Sequence, residues 1–136
     1  MSATKKTTFV EGIGRRKTAT ARVRLTPATN TEITINGKAL NEFFGNESQQ
    51  SNVQSVLKTE NAGIEDYTIT VKVIGGGISA QAEAIRLGIA RALVKEKSSR
   101  RSPLKISGFL KRDPRSVERK KFGLRKARKQ AAWSKR

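Results

Sequence analysis

The chain contains no cysteine and no histidine. Without cysteine there is no disulfide framework, no thiol nucleophile and no thiolate metal site, and without histidine the commonest general base and metal ligand is missing. Much of ordinary enzyme chemistry is thereby excluded. There is also no apolar run of about 18 residues and no apolar stretch of signal-peptide type, so neither membrane insertion nor secretion is indicated and a soluble cytoplasmic protein is expected. Acidic residues are scarce: 11 Asp and Glu stand against 29 Lys and Arg, leaving a formal charge of +18 on 136 residues. That length suits one domain around one core. A field of this size repels copies of the chain and attracts polyanions, of which nucleic acid is the obvious one.

The charge is unevenly placed. Residues 1–24 carry seven basic and one acidic residue, residues 25–99 seven and eight, and residues 100–136 fifteen and two, giving +6, −1 and +13. A near-neutral middle that reads as an ordinary globular segment is therefore framed by a basic first strand region and a strongly basic C-terminus.

Within that frame the apolar pattern marks the elements. From Thr18 to Leu25, Ala19, Ala21, Val23 and Leu25 alternate with Thr18, Thr20, Arg22 and Arg24, the period of a half-buried strand whose outer face is cationic. A β-branched run from Thr31 to Ile35 is closed by Asn36-Gly37, a pair suited to a tight turn. Val53, Val56 and Leu57 predict a short amphipathic helix within Gln49–Thr59, and Tyr67, Ile69, Val71 and Val73 predict a strand. After Gly75-Gly76-Gly77, a helix with Ser79 as N-cap, Glu83 near its positive end and the stripe Ala82, Ile85, Ile89, Leu93 should run to about Lys95. Pro103 suits the first position of a further helical turn or two, up to Leu110. Beyond Asp113-Pro114 the periodicity stops. From Arg115 onward the charge density is too high for the segment to collapse alone, so in isolation it should be disordered.

Three motifs bear on function. Gly12-Ile13-Gly14 reads as a turn that leads Arg15, Arg16 and Lys17 into the first strand, where Arg22 and Arg24 add to them. Glycine lets a backbone approach a phosphate and Arg forks grip one with two hydrogen bonds. Charged edge strands more often only block aggregation, but the lopsided composition favours binding here. Gly75-Gly76-Gly77 precedes a helix, where free N–H groups attract anions. It lacks the Lys-Ser/Thr ending of a P-loop and the spacing of a dinucleotide fingerprint, so a tight strand-to-helix turn is the better reading. In the tail, Phe122, Leu124 and Trp133 interleave with Arg119, Lys120, Lys121, Arg125, Lys126, Arg128 and Lys129, which suits packing or stacking on bases beside neutralised phosphates. A bare basic block is often a solubilising or targeting signal; this one is not bare. The carboxylates Glu42, Glu47, Glu65 and Asp66 have no second motif directed at them and read as surface charges. Composition alone also allows a duplex-DNA architectural protein, and the triple glycine allows, weakly, a phosphate-transferring enzyme.

Four pieces occur in an order that is familiar: Gly14-Arg15-Arg16-Lys17-Thr18-Ala19 with Ala21-Arg22-Val23; Gly75-Gly76-Gly77 with Gln81-Ala82 and Ala84-Ile85-Arg86; Gly88-Ile89-Ala90-Arg91-Ala92-Leu93; and Arg112-Asp113 through Val117-Glu118-Arg119-Lys120-Lys121 to Ser134-Lys135-Arg136. On these the chain resembles the ninth protein of the small ribosomal subunit in its bacterial and organellar form, from about Gly12 to Arg136. The resemblance implies an α+β fold: a single two-layer sandwich of helices on a mixed sheet with a left-handed βαβ crossover, against the usual right-handed rule. It also implies a globular part over residues 1–110 and an extended basic arm over 111–136. It implies binding to the 3′ major domain of small-subunit ribosomal RNA in the head, beside neighbouring head proteins. Arg15, Arg16, Lys17, Arg22, Arg24, Arg112, Arg115 and the seven tail cations named above would be the rRNA contacts. The arm would reach P-site tRNA with Ser134, Lys135 and Arg136. No cofactor, metal, small-molecule substrate, membrane or catalysis is implied, and the ribosome would be cytoplasmic or organellar. Ala80 and Ala131-Ala132-Trp133 depart from the family's more usual residues, Pro114 and Phe122 occupy variable positions, and at Trp133 an indole can still stack or donate its N–H.

Overall fold

The computed structural model describes residues 8–134. Strands β1 (Val10–Arg16), β2 (Ala19–Pro27), β3 (Glu32–Ile35) and β4 (Lys38–Ala39) precede the helices α1 (Leu40–Phe43) and α2 (Glu47–Gln54). Then come β5 (Tyr67–Ile74), α3 (Ile78–Glu96), a 3-10 turn (Ser98–Arg100) and α4 (Arg101–Ile106). The five strands form one mixed sheet in the order β1-β2-β5-β3-β4. β3 and β5 are parallel and the other pairs antiparallel, so α1 and α2 lie in a βαβ crossover between β3 and β5. This is the expected α+β arrangement.

Helices cover one face of the sheet. Ala19, Ala21, Val23 and Leu25 of β2, Ile33 and Ile35 of β3, and Tyr67, Ile69, Val71 and Val73 of β5 all point inward. They pack on Val53 and Val56 from the α2 region and on Ala82, Ile85, Ile89 and Leu93 of α3. The period-two and period-3.6 stripes seen in the sequence are thus the two halves of one core. Leu57, expected with Val53 and Val56, is only half-buried. Asn36 and Gly37 take positive φ (50° and 81°) and turn β3 into β4 as expected. The Asn36 amide also bonds the Val73 carbonyl and N–H, both at 3.0 Å.

Four details differ from expectation. Gly12 and Gly14 form no turn but lie inside β1, fully paired with β2. A Cβ on Gly14 would sit 1.8 Å from the Ala84 carbonyl oxygen, and one on Gly12 2.4 Å from that of Gly88. These glycines exist so that α3 can lie directly on β1, its small stripe Ala84, Gly88, Ala92 against their bare backbone. The turn into β2 is Lys17-Thr18. Ser79 is not the N-cap of α3: the helix starts at Ile78 with Gly77 as a cap that offers no side chain. Gly75 and Gly76, both at positive φ, deliver the chain to the helix two residues early. Glu83 accordingly lies beyond the first turn, and what it holds is Arg16. Finally, Pro103 is the third residue of α4, because the 3-10 turn supplies the start of that helical segment.

Arg100, which no pattern in the sequence singled out, is 1% exposed. It donates to the Tyr67 hydroxyl at 2.8 Å, to Glu96 at 3.2 Å and to the carbonyls of Gly63 and Leu93 at 3.4 Å, closing the end of the core with a paired charge. Burial of Tyr67 pushes its hydroxyl pKa up. No described helix is long and apolar enough to cross a membrane.

Candidate nucleic-acid interface

Because helices cover only one side of the sheet, the alternate residues of every strand face outward. The outer face of β2 presents Thr20, Arg22, Arg24 and Thr26; β1 adds Ile13 and Arg15, and β5 adds Thr68, Thr70 and Lys72. Register sets these into rows: Ile13, Arg22 and Lys72 lie across from one another, as do Glu11, Arg24 and Thr70. Lys72 was missed in the sequence as a candidate contact, although the alternation of β5 already placed it opposite the core.

One carboxylate organises this patch. Glu11 accepts from Arg22 through both oxygens, the longer bond being 3.3 Å, and lies 3.5 Å from Arg24 Nε. The Arg22 hydrogen bond holds the Glu11 pKa below the ordinary carboxylate value. The Arg24 guanidinium also stacks 4.5 Å from the centre of the Phe9 ring. Two arginines are thereby held side by side with donors still directed at solvent, a geometry suited to phosphate oxygens. At the hairpin tip Lys17 is exposed and has φ 51°, a left-handed conformation that glycine would adopt at less cost.

Arg16 is placed differently. It was expected among the outward cations, yet it is only 8% exposed. Its Nε donates to Glu83 of α3, one terminal nitrogen lies 3.3 Å from Asp113, and the other donates to the Arg115 carbonyl at 2.6 Å.

After Ile106 there is no further helix or strand among the described residues. Phe109 is held under Arg86, 5.6 Å from guanidinium carbon to ring centre. Asp113 then accepts from the Arg115 backbone N–H at 3.0 Å and from its guanidinium at 2.7 to 3.1 Å, and these bonds hold its pKa well below the usual carboxylate range. Arg112, Arg115, Arg119, Lys120, Arg125, Lys126, Arg128 and Lys129 are exposed, whereas Lys121 is half-buried beside Glu118, which also takes Arg128 at 2.9 Å. The tail is not uniformly extended. Gly123 takes φ 76°, and the Arg125 N–H bonds the Lys129 carbonyl at 2.8 Å, bending the segment on itself. Phe122 and Trp133 are 97% and 86% exposed, ready to stack, while Leu124 is half-buried and serves the bend. Ser134 is exposed; Lys135 and Arg136 lie outside the described residues.

The described residues hold no metal-binding cluster of acidic side chains. In the triple-glycine loop, a Cβ on Gly75 would lie 2.5 Å from the Thr18 carbonyl oxygen, so the loop serves to pack against the β1–β2 hairpin.

The family model of ribosomal protein S9/S16 matches residues 14–136. The chain belongs to that family. The small ribosomal subunit protein uS9c of Mesostigma viride is 56% identical over 127 residues, 92% of this chain and 90% of that protein. The matched stretch begins within β1 and takes in the rest of the sheet, α3 and the tail, so Arg15, Arg22, Arg24, Lys72 and the tail cations fall inside the S9/S16 region. As an S9/S16 protein the chain is a structural, non-enzymatic component of the small ribosomal subunit.

Proposed function

We propose that the chain works as a body, residues 1–110, that anchors on small-subunit rRNA in the 3′ major domain of the head, and an arm, residues 111–136, that reaches P-site tRNA. One observation carries the reading: a cluster of cations sits on the open face of a one-sided sheet, and a second, denser set lies on a tail without core residues. In the body Arg15, Lys17, Arg22, Arg24 and Lys72 meet phosphates, with the surrounding threonine hydroxyls available to ribose and phosphate oxygens. In the arm Arg112, Arg115, Arg119, Lys120, Lys121, Arg125, Lys126, Arg128 and Lys129 neutralise backbone while Phe122 and Trp133 stack on unpaired bases. Ser134, Lys135 and Arg136 form the tRNA end.

Side-by-side titration against a head-domain rRNA fragment and a duplex DNA of equal length tests the partner class. A clear preference for RNA is expected. Equal affinity would instead support a duplex-DNA architectural role and contradict this reading.

A further inference from the structure

Of the cations in the β1–β2 hairpin, Arg16 alone turns inward, and its guanidinium is committed there. A guanidinium carries five N–H donors in a planar fork, and this one spreads them over three partners from two parts of the chain. Glu83 belongs to α3, the most deeply packed helix of the body. Asp113 and the Arg115 carbonyl belong to the start of the tail, 97 and 99 residues further along the chain from Arg16. The tail side of this contact is itself braced by local bonds. Asp113 precedes Pro114, which restricts it to extended backbone, and it closes a local turn by accepting the Arg115 N–H and guanidinium. Just upstream, Phe109 is fixed by its stacking with Arg86, and Arg86 is fixed by donating to Asn52 at 2.7 Å. From Glu118 onward the bonds described above join tail residues to one another.

We infer that Arg16 is a positioning residue and not an RNA contact: it locks the root of the arm to the body and so fixes the direction in which the arm leaves. An arm of about twenty residues on a loose root would sample a wide volume, and its local concentration at any one partner would fall accordingly. With the root fixed through Arg115, the wandering begins at about Ser116. That consequence for a partner rests on the body-and-arm reading; the lock itself does not.

The chain has no native cysteine, so paired spin labels report without background. Distances are measured by pulsed electron resonance on the full-length protein without RNA. One label sits at Lys95→Cys, near the end of α3, and the other at Val117→Cys, just past the lock, or at Gln130→Cys, far along the arm. The expected result is a narrow distribution to position 117 and a broad one to position 130. Arg16→Gln should at least double the width at 117 and leave that at 130 unchanged. Arg16→Lys should not restore the narrow distribution, because one ammonium cannot hold three partners on two segments. Should Arg16→Gln not fold, Asp113→Asn carries the test, since Asp113 lies outside the core; it too should widen the distribution at 117. Wild-type width at 117 in these variants, or a wild-type distribution as broad at 117 as at 130, would overturn the inference. Because no RNA is present, that failure is distinct from a failure of the rRNA and tRNA reading.

Discussion

At the scale of single residues, Gly14 and Lys17 show two different demands on the backbone of the β1–β2 hairpin. Gly14 is a packing residue: in Gly14→Ala the new Cβ meets the backbone of α3, which cannot give locally. The substitution is expected to cost about 3 kcal/mol, read as a lowered thermal midpoint, and a wild-type midpoint would contradict the close approach. Lys17 is the converse, a non-glycine in left-handed backbone at an exposed tip. Lys17→Gly should relieve the conformation, offset in part by a more flexible unfolded chain, for a net gain of about 0.5 kcal/mol. The same change should lower RNA affinity and reduce the salt slope by about 1. A gain in stability without loss of binding would show that the lysine is there for no phosphate. Nothing in the sequence separated Arg15, Arg16 and Lys17. Their placements diverge because a strand alternates its faces and a hairpin tip belongs to neither.

At the scale of elements, the titrating groups predict how the fold responds to pH. With no histidine, the thermal midpoint should stay flat between pH 5 and 8. Glu11, Glu65 and Asp113 have lowered pKa values, caused first by hydrogen bonds from Arg22, Lys97 and Arg115 respectively. A carboxylate lowered in the folded state adds stability above its unfolded value of about 4, and that stability is lost as the pH falls through the folded values. The midpoint should therefore drop below about pH 4. At the other end the raised Tyr67 hydroxyl adds stability that is lost as the pH rises beyond about 10. Thermal melts across that range check both limbs, and a step near pH 6.5 would contradict them. Much of this architecture was legible beforehand. β2, β5 and α3 announced themselves because each sets one clean apolar face against one core. β1 did not, since its inward positions are Gly12, Gly14 and Arg16, which carry no hydrophobic period, and its glycines imitate a turn. α1 was too short to register. The outer sheet face was half read: Arg22 and Arg24 were seen, whereas Lys72 appeared only once register set β5 beside β2.

Apart from the buried Arg16 and Arg100, the charge of the molecule lies outside its core, and its salt response should reveal how much of that charge is used. With roughly ten phosphates neutralised on an rRNA fragment, the logarithmic slope of affinity against salt should be about −7 to −9. A slope near −2 would mean that most of the cations are idle. The two surfaces should also be separable, the open sheet face and proximal tail providing the anchorage and the distal tail the reach. The most direct test reconstitutes small subunits with the full-length protein and with a chain ending at Lys129, then measures sedimentation and P-site tRNA binding. The expected result is that both chains enter the subunit and only the full-length one supports tight tRNA binding. Equal tRNA binding by the two subunits, or failure of the shortened chain to enter them, would contradict the division into anchoring body and reaching arm.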